Sequence, residues 1–365
     1  MTSEPTFAPD WASPPGDTIS DMLTRRGIDC SEFSTLIGRP RQFVASLLSG
    51  AAELTPDIAD LLEKVLGAKS KFWTNRELGF SAQVETAAKD AEAEIPEWLR
   101  LLPISSMRQL GWIPPSGRSD VLKAAACFRF FGVTRFTEWQ DRYSKVLDSV
   151  AYKHTEAHVS HPLSLAAWLR QAEIQSASVK CARWNKPRFT EALSEILPLT
   201  RQKSPSSFLP RLVEICAASG VAVVLVKTPT GCHATAATRF LNLEKAMIVL
   251  SCRHLSDDHF WFAFFHEAGH LILHDSTQLF IEMENTDENR FEDEANAFAA
   301  RCIIPLEHQP ELRSMRTTVE SIIKFARRVG VSPGIVVGQL QHSGRLKHSY
   351  LNSLKRRYSW ESLAE

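Results

Sequence analysis

The stretch FAFFHEAGHLILHD, residues 262–275, places three histidines and a glutamate inside an apolar helical pattern. Polar groups buried in such a helix are unfavourable unless a partner satisfies them. At 3.6 residues per turn, His266 and His270 project from the same face, so their imidazoles can share one metal ion, most typically Zn²⁺. Glu267 projects beside them, where it can hold and deprotonate a water molecule instead of binding the metal. This HExxH pattern predicts a zinc site with Glu267 as general base.

A third protein ligand is expected from a second helix, because catalytic zinc sites normally have three protein ligands. The downstream stretch FEDEANAFAARCIIP predicts such a helix, ended by Pro305. Glu292 and Asn296 share one face of this helix with two alanines, which allow close packing against the HExxH helix. We therefore expect Glu292 to be the third ligand and Asn296 to orient a ligand through a hydrogen bond.

Other residues compete for roles at this site. Asp293, Glu294 and His274 are alternative third ligands, although Glu294 is expected to face solvent. A histidine in the last turn of a helix, such as His274, more often interacts with the terminal carbonyls. His259 lies on the ligand face, where it would stabilise an oxyanion or remain a partly exposed histidine. Without a metal, the motif would be a helix with two core histidines satisfied by other partners and a surface glutamate.

Composition excludes several classes of protein. The 365 residues carry no formal net charge, so bulk charge does not favour nucleic acid. The start of the chain lacks a signal-peptide pattern, and the longest apolar runs are too short to span a bilayer. The seven cysteines include no CxxC pair, which argues against a disulfide framework or a zinc knuckle. We expect a cytoplasmic protein with free thiols and no membrane contact.

The pattern of apolar and polar residues along the sequence predicts a mostly helical α+β protein. Residues 1–16 are proline-rich and predict a disordered lead-in, and residues 17–80 predict a compact all-α domain. Residues 81–204 predict a helical linker or middle region. Its regularly spaced aromatic residues are expected to be buried in a hydrophobic core. Residues 205–345 predict an α+β domain with a small sheet and the HExxH helix, because β-branched runs such as VAVVLV alternate with helical patterns. Residues 346–365 form a C-terminal tail.

A second functional pattern lies in CSEFSTLIGRPRQFVASLLSG, residues 30–50. It predicts one short helix, a turn at Gly38 and a second helix from Arg39 to Leu48, which is helix-turn-helix spacing. Polar side chains of the second helix would read base edges in the major groove. These candidate DNA contacts are Arg39, Arg41, Gln42 and Ser46. The charge of the module is nearly balanced, so a four-helix protein-interaction module is the alternative.

Both motifs, together with the residues around them, resemble known protein families. HFWFAFFHEAGHLILH followed by EDEANAFAARCIIP resembles the ImmA/IrrE family of bacterial metallopeptidases over residues 205–345. This resemblance implies a zincin-like fold, zinc bound by His266, His270 and Glu292, and action on a repressor or other regulatory protein. Residues 17–80, including LTPDIADLLEKVLG and KFWTNRELGF, resemble the XRE-type helix-turn-helix of HigA-like antitoxins. That resemblance implies DNA binding and a homodimer on two-fold operators.

Two functions are consistent with these patterns. The first is a DNA-binding transcription regulator whose zinc metallopeptidase domain hydrolyses a peptide bond in a partner, such as a repressor or a toxin–antitoxin component. The second is a HigA-like antitoxin or repressor whose zinc domain is structural or sensory. An intact Glu267 favours the first, because a structural zinc site has no use for a general base and usually closes its fourth position.

Overall fold

The computed structural model describes most of the chain as a mostly helical α+β protein, which confirms the predicted fold class. The chain divides into two compact units, residues 1–145 and 146–365. Within the part described, we find no helix with the length and apolar character needed to cross a membrane. Residues 1–12 of the predicted lead-in lie outside that part. The described residues are 13–115, 119–151, 161–274, 279–283 and 290–364.

The first unit is built from helices. They are α1 (Pro15–Arg26), α2 (Cys30–Ile37), α3 (Arg41–Leu48), α4 (Pro56–Leu66), α5 (Ser70–Asp90), α6 (Ile95–Leu101), α7 (Ile104–Gln109), α8 (Asp120–Phe131) and the first part of α9 (Phe136–Ala151). Helices α1 to α5 enclose a core that includes Phe33, Val44, Leu62 and Trp73. Apolar residues at helical spacing therefore bury one face of each short helix in a shared interior.

Local signals explain the turn between α2 and α3. The Asp29 side chain caps α2 by accepting hydrogen bonds from the backbone N–H groups of Ser31 and Glu32, both at 3.0 Å. Gly38 ends α2 in the left-handed region, with φ of 62°. Helix α3 begins at Arg41 and not at Arg39, because the proline between them precedes the first helical residue. The predicted pattern of two short helices around Gly38 is therefore present.

The predicted boundary at residue 80 falls inside a continuous helix, α5. Glu77 of α5 is buried and accepts a 3.1 Å hydrogen bond from the backbone N–H of Leu54, just before α4. Arg129 of α8 forms an ion pair with Glu77 and donates a 2.8 Å hydrogen bond to Ser81. The helices that follow α5 are thus tied to the helix-turn-helix segment within this unit. The domain boundary itself stays a prediction.

Aromatic side chains of α6, α8 and α9 form core within the first unit. Trp98 packs against Phe128 and Trp139 with ring centroids 5.3 Å apart in both pairs. Phe131 contacts the same group, and all four rings are buried. Their burial accounts for the aromatic stripes noted in the sequence.

The second unit places a small sheet among helices. Its elements are α10 (Pro162–Ala177), α11 (Lys186–Ile196), α12 (Pro205–Ala217), β1 (Val221–Leu225), β2 (Ala234–Asn242), β3 (Lys245–Leu250), α13 (Asp257–Leu273), β4 (Phe280–Met283), α14 (Arg290–Ile303), α15 (Gln309–Ser314), α16 (Val319–Val329), α17 (Pro333–His342) and α18 (Trp360–Ala364). The strand order is β1-β3-β2-β4, with β1 and β3 parallel and the other pairs antiparallel. The sequence did not predict β4, because four residues are too few to show an alternating pattern.

A buried polar cluster anchors the start of α13. Asp257 accepts a 2.7 Å hydrogen bond from Ser332 and a 3.0 Å bond from the backbone N–H of Arg356. Asp258 lies 2.5 Å from the ammonium of Lys355. A Cβ at Gly334 of α17 would lie 2.4 Å from Asp257 Oδ1, so only glycine permits this approach. The predicted C-terminal tail is therefore folded against the helix that carries the HExxH motif.

The Lys355→Met variant is expected to lose about 3–5 kcal/mol of stability, because the change leaves the Asp258 carboxylate buried without its cation. Burial alone would raise the pKa of Asp258, but hydrogen bonds from His259, Lys355 and Ser256 hold that pKa well below its usual range. A carboxyl with a depressed folded-state pKa stabilises the protein above its unfolded pKa of about 3.9, and this stabilisation is lost as the pH falls further.

Urea unfolding at pH 7 and below pH 4 tests this expectation. Lys347→Met, which removes an exposed lysine nearby, is the matched control. A loss in Lys355→Met no larger than in the control at pH 7 would contradict the assigned role of the pair.

Candidate metal centre

Three side chains from two helices converge at one point. His266 and His270 extend from α13 and Glu292 from α14, and their ligand atoms all lie within 4.8 Å of one another. The two histidine Nε2 atoms are 3.0 Å apart, and Glu292 Oε2 lies 3.1 Å from His266 Nε2 and 3.5 Å from His270 Nε2. Tetrahedral ligands with zinc bonds of about 2.0–2.1 Å are about 3.3 Å apart. The donor set therefore fits zinc in residue type and in spacing.

Small residues allow α14 to approach α13 this closely. A Cβ at Gly269 would lie 3.3 Å from the Ala295 Cα and 3.1 Å from a ring carbon of Phe298. Ala295 and Ala299 are fully buried on the same face of α14 as Glu292. The face of small side chains noted in the sequence therefore brings the Glu292 carboxylate to the two imidazoles.

Asn296 fixes the orientation of one imidazole. Its Oδ1 lies 3.0 Å from His266 Nδ1 and can only accept a hydrogen bond. Nδ1 of His266 therefore donates to Asn296, which leaves Nε2 facing the cluster. This is the arrangement in which outer hydrogen bonds hold metal-binding histidines.

His274 fixes the other imidazole in the same way. Nδ1 of His274 lies 2.9 Å from His270 Nδ1, and Nε2 of His274 lies 3.2 Å from Glu294 Oε2. Because the carboxylate can only accept, His274 Nε2 donates to it, and in the tautomer with that single proton His270 Nδ1 donates to His274. Arg290 in turn donates to Glu294 at 2.7 Å. His274 is thus an outer partner of His270, and Glu294, expected to face solvent, completes the chain.

These hydrogen bonds indicate which group can satisfy the buried polar side chains of the HExxH motif. With both Nδ1 atoms protonated, His266 Nε2, His270 Nε2 and the Glu292 carboxylate are three acceptors that face one another. Acceptors at this separation repel unless a cation lies between them. Burial lowers the pKa of His270, which favours the neutral ring. A neutral imidazole is the form that binds metal.

Phe280 supports His270 from the edge strand β4. The two rings stack with centroids 4.2 Å apart and an interplanar angle of 15°. The same phenylalanine contacts the His274 ring at 5.1 Å. Sequence reasoning missed both Phe280 and the outer role of His274. Only the four-residue spacing from His270 to His274 signalled a contact between them.

Two further predicted residues lie outside the three-atom cluster. Glu267 follows His266 on α13 and is fully buried. His259 lies two helical turns before His266, about 10 Å away along the helix axis. Its side chain is half exposed, and its Nδ1 lies 2.9 Å from the Ser256 hydroxyl. His259 is therefore too far from the cluster to stabilise an oxyanion formed there.

The candidate DNA contacts lie around the start of α3. Arg41 and Gln42 are exposed in its first turn, and Arg41 also contacts the Ser31 hydroxyl. Arg39 precedes the helix and forms a 2.7 Å ion pair with Asp57. Ser46 is partly buried and donates a 3.1 Å hydrogen bond to the backbone carbonyl of Gln42. Arg41 and Gln42 are the pair best presented to a ligand.

The His274→Ala variant is expected to bind zinc about 10–100-fold more weakly, because His270 would lose the hydrogen bond that orients its ring. Competition with a chelator of known affinity measures the effect. His348→Ala, which removes an exposed histidine, is the control. Equal zinc affinity in His274→Ala and the unmodified protein would contradict an orienting role.

Comparison with known proteins agrees with this geometry. Residues 218–340 match the family model of the IrrE N-terminal-like domain, Peptidase_M78. The chain is also 29% identical over 96 residues to the uncharacterized HTH-type transcriptional regulator YddM of Escherichia coli (strain K12). That match covers 26% of this chain and 88% of YddM. No solved structure matches the chain. The resemblance to a helix-turn-helix protein joined to an ImmA/IrrE domain is confirmed.

Proposed function

We propose that this chain is a transcription regulator with a DNA-binding domain at residues 17–80 and a zinc-dependent metallopeptidase domain at residues 205–345. The helical region 81–204 joins the two. The peptidase hydrolyses a peptide bond in a regulatory partner protein in the cytoplasm. The observation that carries the proposal is the convergence of His266, His270 and Glu292, with the buried Glu267 next to His266 in the sequence of α13.

In the proposed reaction, the metal and the side chains of the protein have separate roles. Zinc, when held by His266, His270 and Glu292, supplies a Lewis acid for the substrate carbonyl and for water. Glu267 takes a proton from the attacking water while the water oxygen bonds to the carbonyl carbon. Glu267 then gives that proton to the amine nitrogen as the C–N bond breaks. Asn296 and His274 keep the two imidazoles oriented.

Strand β4 supports binding of an extended substrate segment. In the described sheet, β4 pairs with β2 on one side and forms the edge. Edge strands present unpaired backbone groups that can pair with another extended chain. Phe280 of β4 stacks on His270, so this edge lies beside the proposed metal site.

The burial of the ligands favours a second candidate function, a HigA-like repressor with a structural or sensory zinc domain. His266 and His270 are only 1% and 2% exposed. The two functions differ in what zinc removal does. Chelation abolishes proteolysis of a partner under the first function. Under the second, it changes stability or DNA binding while no cleavage occurs at any zinc level.

The Arg41→Ala/Gln42→Ala double variant is expected to lose about 1–3 kcal/mol of DNA affinity for each base contact removed. Two copies of the chain would read a two-fold operator, as the helix-turn-helix resemblance implies. Fluorescence anisotropy with promoter fragments at fixed salt measures the loss. Arg100→Ala, an exposed arginine of α6, is the control. Unchanged affinity in the double variant would exclude α3 as the recognition helix.

A further inference from the structure

The C-terminal part of the chain carries an excess of positive charge. Residues 309–365 contain ten Lys and Arg against four Asp and Glu, which gives a formal net charge of +6. Because the whole chain has 42 residues of each sign, the 308 residues before this segment carry a net charge of −6. An uneven distribution of charge along a neutral chain indicates a surface for an anionic partner.

Half of these ten cations have no partner within the fold. Five are exposed and, in the part of the chain that the structure describes, form neither an ion pair nor a side-chain hydrogen bond. These five, the free cations, are Arg313, Arg316, Lys324, Arg327 and Lys347. Other cations of the segment are used internally, since Arg328 pairs with Glu311 and Lys355 pairs with Asp258. The free cations can therefore bind an anion without first breaking an internal contact.

Two of the free cations lie on the solvent side of α16. Lys324 and Arg327 are three residues apart, so their side chains project from the same helix face. Ile322 and Phe325, on the other side of α16, are buried in the core of the second unit. An open hollow of about 830 Å³ lies over the exposed face and is lined by both cations. Glu320 also lines the hollow, but the cations outnumber it, so this face of α16 is positively charged.

Contacts between segments bring the remaining free cations near α16. Arg328 of α16 forms its ion pair with Glu311 at the start of α15. Arg345, in the loop after α17, donates hydrogen bonds of 2.6 and 2.9 Å to the backbone carbonyls of Leu312 and Met315 at the end of α15. The free cations of α16, of α15 with the turn that follows it, and of the loop after α17 are thus gathered in one region of the second unit.

We propose that this region, the basic surface formed by the free cations, binds the phosphate backbone of double-stranded DNA. Surfaces that bind DNA are more polar and much more positively charged than surfaces that bind proteins. Three of the five free cations are arginines, whose planar guanidinium groups match the geometry of phosphate oxygens. The charge of the helix-turn-helix module is nearly balanced, so its own attraction for phosphates is modest and the basic surface adds to it. DNA as the partner rests on the proposed function, whereas binding of a polyanion rests on the free cations alone.

The test measures DNA binding by the full chain as a function of salt concentration. The probes are a promoter fragment and a duplex of the same length with scrambled sequence. Lys324→Gln/Arg327→Gln removes two free cations, and Lys186→Gln/Arg188→Gln, which removes the same residue types from exposed positions of α11, is the matched control. Each phosphate contact contributes about −0.9 to the slope of log affinity against log salt concentration. Between about 50 and 200 mM salt, the unmodified protein and the control should therefore lose about tenfold more affinity than the double variant.

Both duplexes should lose the same factor of affinity in Lys324→Gln/Arg327→Gln, because phosphates carry no sequence information. Equal affinity and salt slope in this variant and the control would overturn the basic surface and leave base reading by α3 intact. The loss in both duplexes, together with unchanged promoter affinity in Arg41→Ala/Gln42→Ala, would refute α3 as the recognition helix and support the basic surface.

Two other polyanions serve as competing probes. These are vesicles of equal parts phosphatidylcholine and phosphatidylserine, and polyglutamate. If Lys324→Gln/Arg327→Gln loses affinity for vesicles or polyglutamate but not for DNA, the surface belongs to a membrane or to an acidic protein and the proposal is wrong. Absence of DNA binding by the unmodified protein at low salt would overturn it as well.

Discussion

Replacing Glu267 with glutamine is expected to reduce peptide hydrolysis by about 10²- to 10⁴-fold while zinc binding is retained. Glu267, which follows His266 in the sequence, is fully buried and does not belong to the three residues of the metal cluster. Glutamine preserves its size but cannot accept a proton from water. The loss should therefore appear in kcat, with the zinc content and the unfolding transition unchanged.

Comparing the variants requires a peptide that the unmodified protein cleaves, selected from a mixed peptide library. The zinc content of the same samples is measured in parallel. Glu307→Gln is the matched control, because it makes the same chemical change at an exposed glutamate beyond α14. Equal cleavage by the Glu267→Gln and Glu307→Gln variants would remove Glu267 from the mechanism. It would leave zinc binding by the three ligands untouched.

Replacing Glu292 with alanine is expected to weaken zinc binding by more than the 10–100-fold typical of outer partners such as His274. The change removes a proposed ligand and leaves the two imidazoles without the carboxylate that would balance a dication. Asp293→Ala is the matched control, because it removes the adjacent, exposed carboxylate of the same helix. The measurement is the zinc dissociation constant, again by chelator competition.

Zinc affinity should differ among these three variants in a fixed order. Glu292→Ala should bind zinc more weakly than His274→Ala, which should bind more weakly than Asp293→Ala. A loss in Asp293→Ala as large as in Glu292→Ala would mean that the acidic turn acts through its overall charge and not through one ligand.

The helical spacing of residues in the sequence predicted which side chains lie together on a single helix face. His266 with His270, and Glu292 with Asn296, are separated by one helical turn, so their joint orientation follows from helix geometry alone. The structure brings all four together around one point. Their chemical roles remain predictions that the variants above test.

Features that depend on the path of the chain between elements were not predicted from the sequence. His274 reaches His270, and Glu294 reaches His274, only because α13 ends where α14 begins to pack against it. Phe280 belongs to a strand too short to be read from a pattern. The Lys355 contact with Asp258 joins residues nearly a hundred positions apart. No local signal encodes these contacts, because tertiary packing creates them.

X-ray diffraction at the zinc absorption edge, on crystals of the protein loaded with one equivalent of zinc, tests the central claim most directly. We expect one anomalous peak about 2.0–2.2 Å from His266 Nε2, His270 Nε2 and a Glu292 oxygen. Zinc-loaded crystals with no peak between these three side chains, or with a peak bound by other residues, would contradict it.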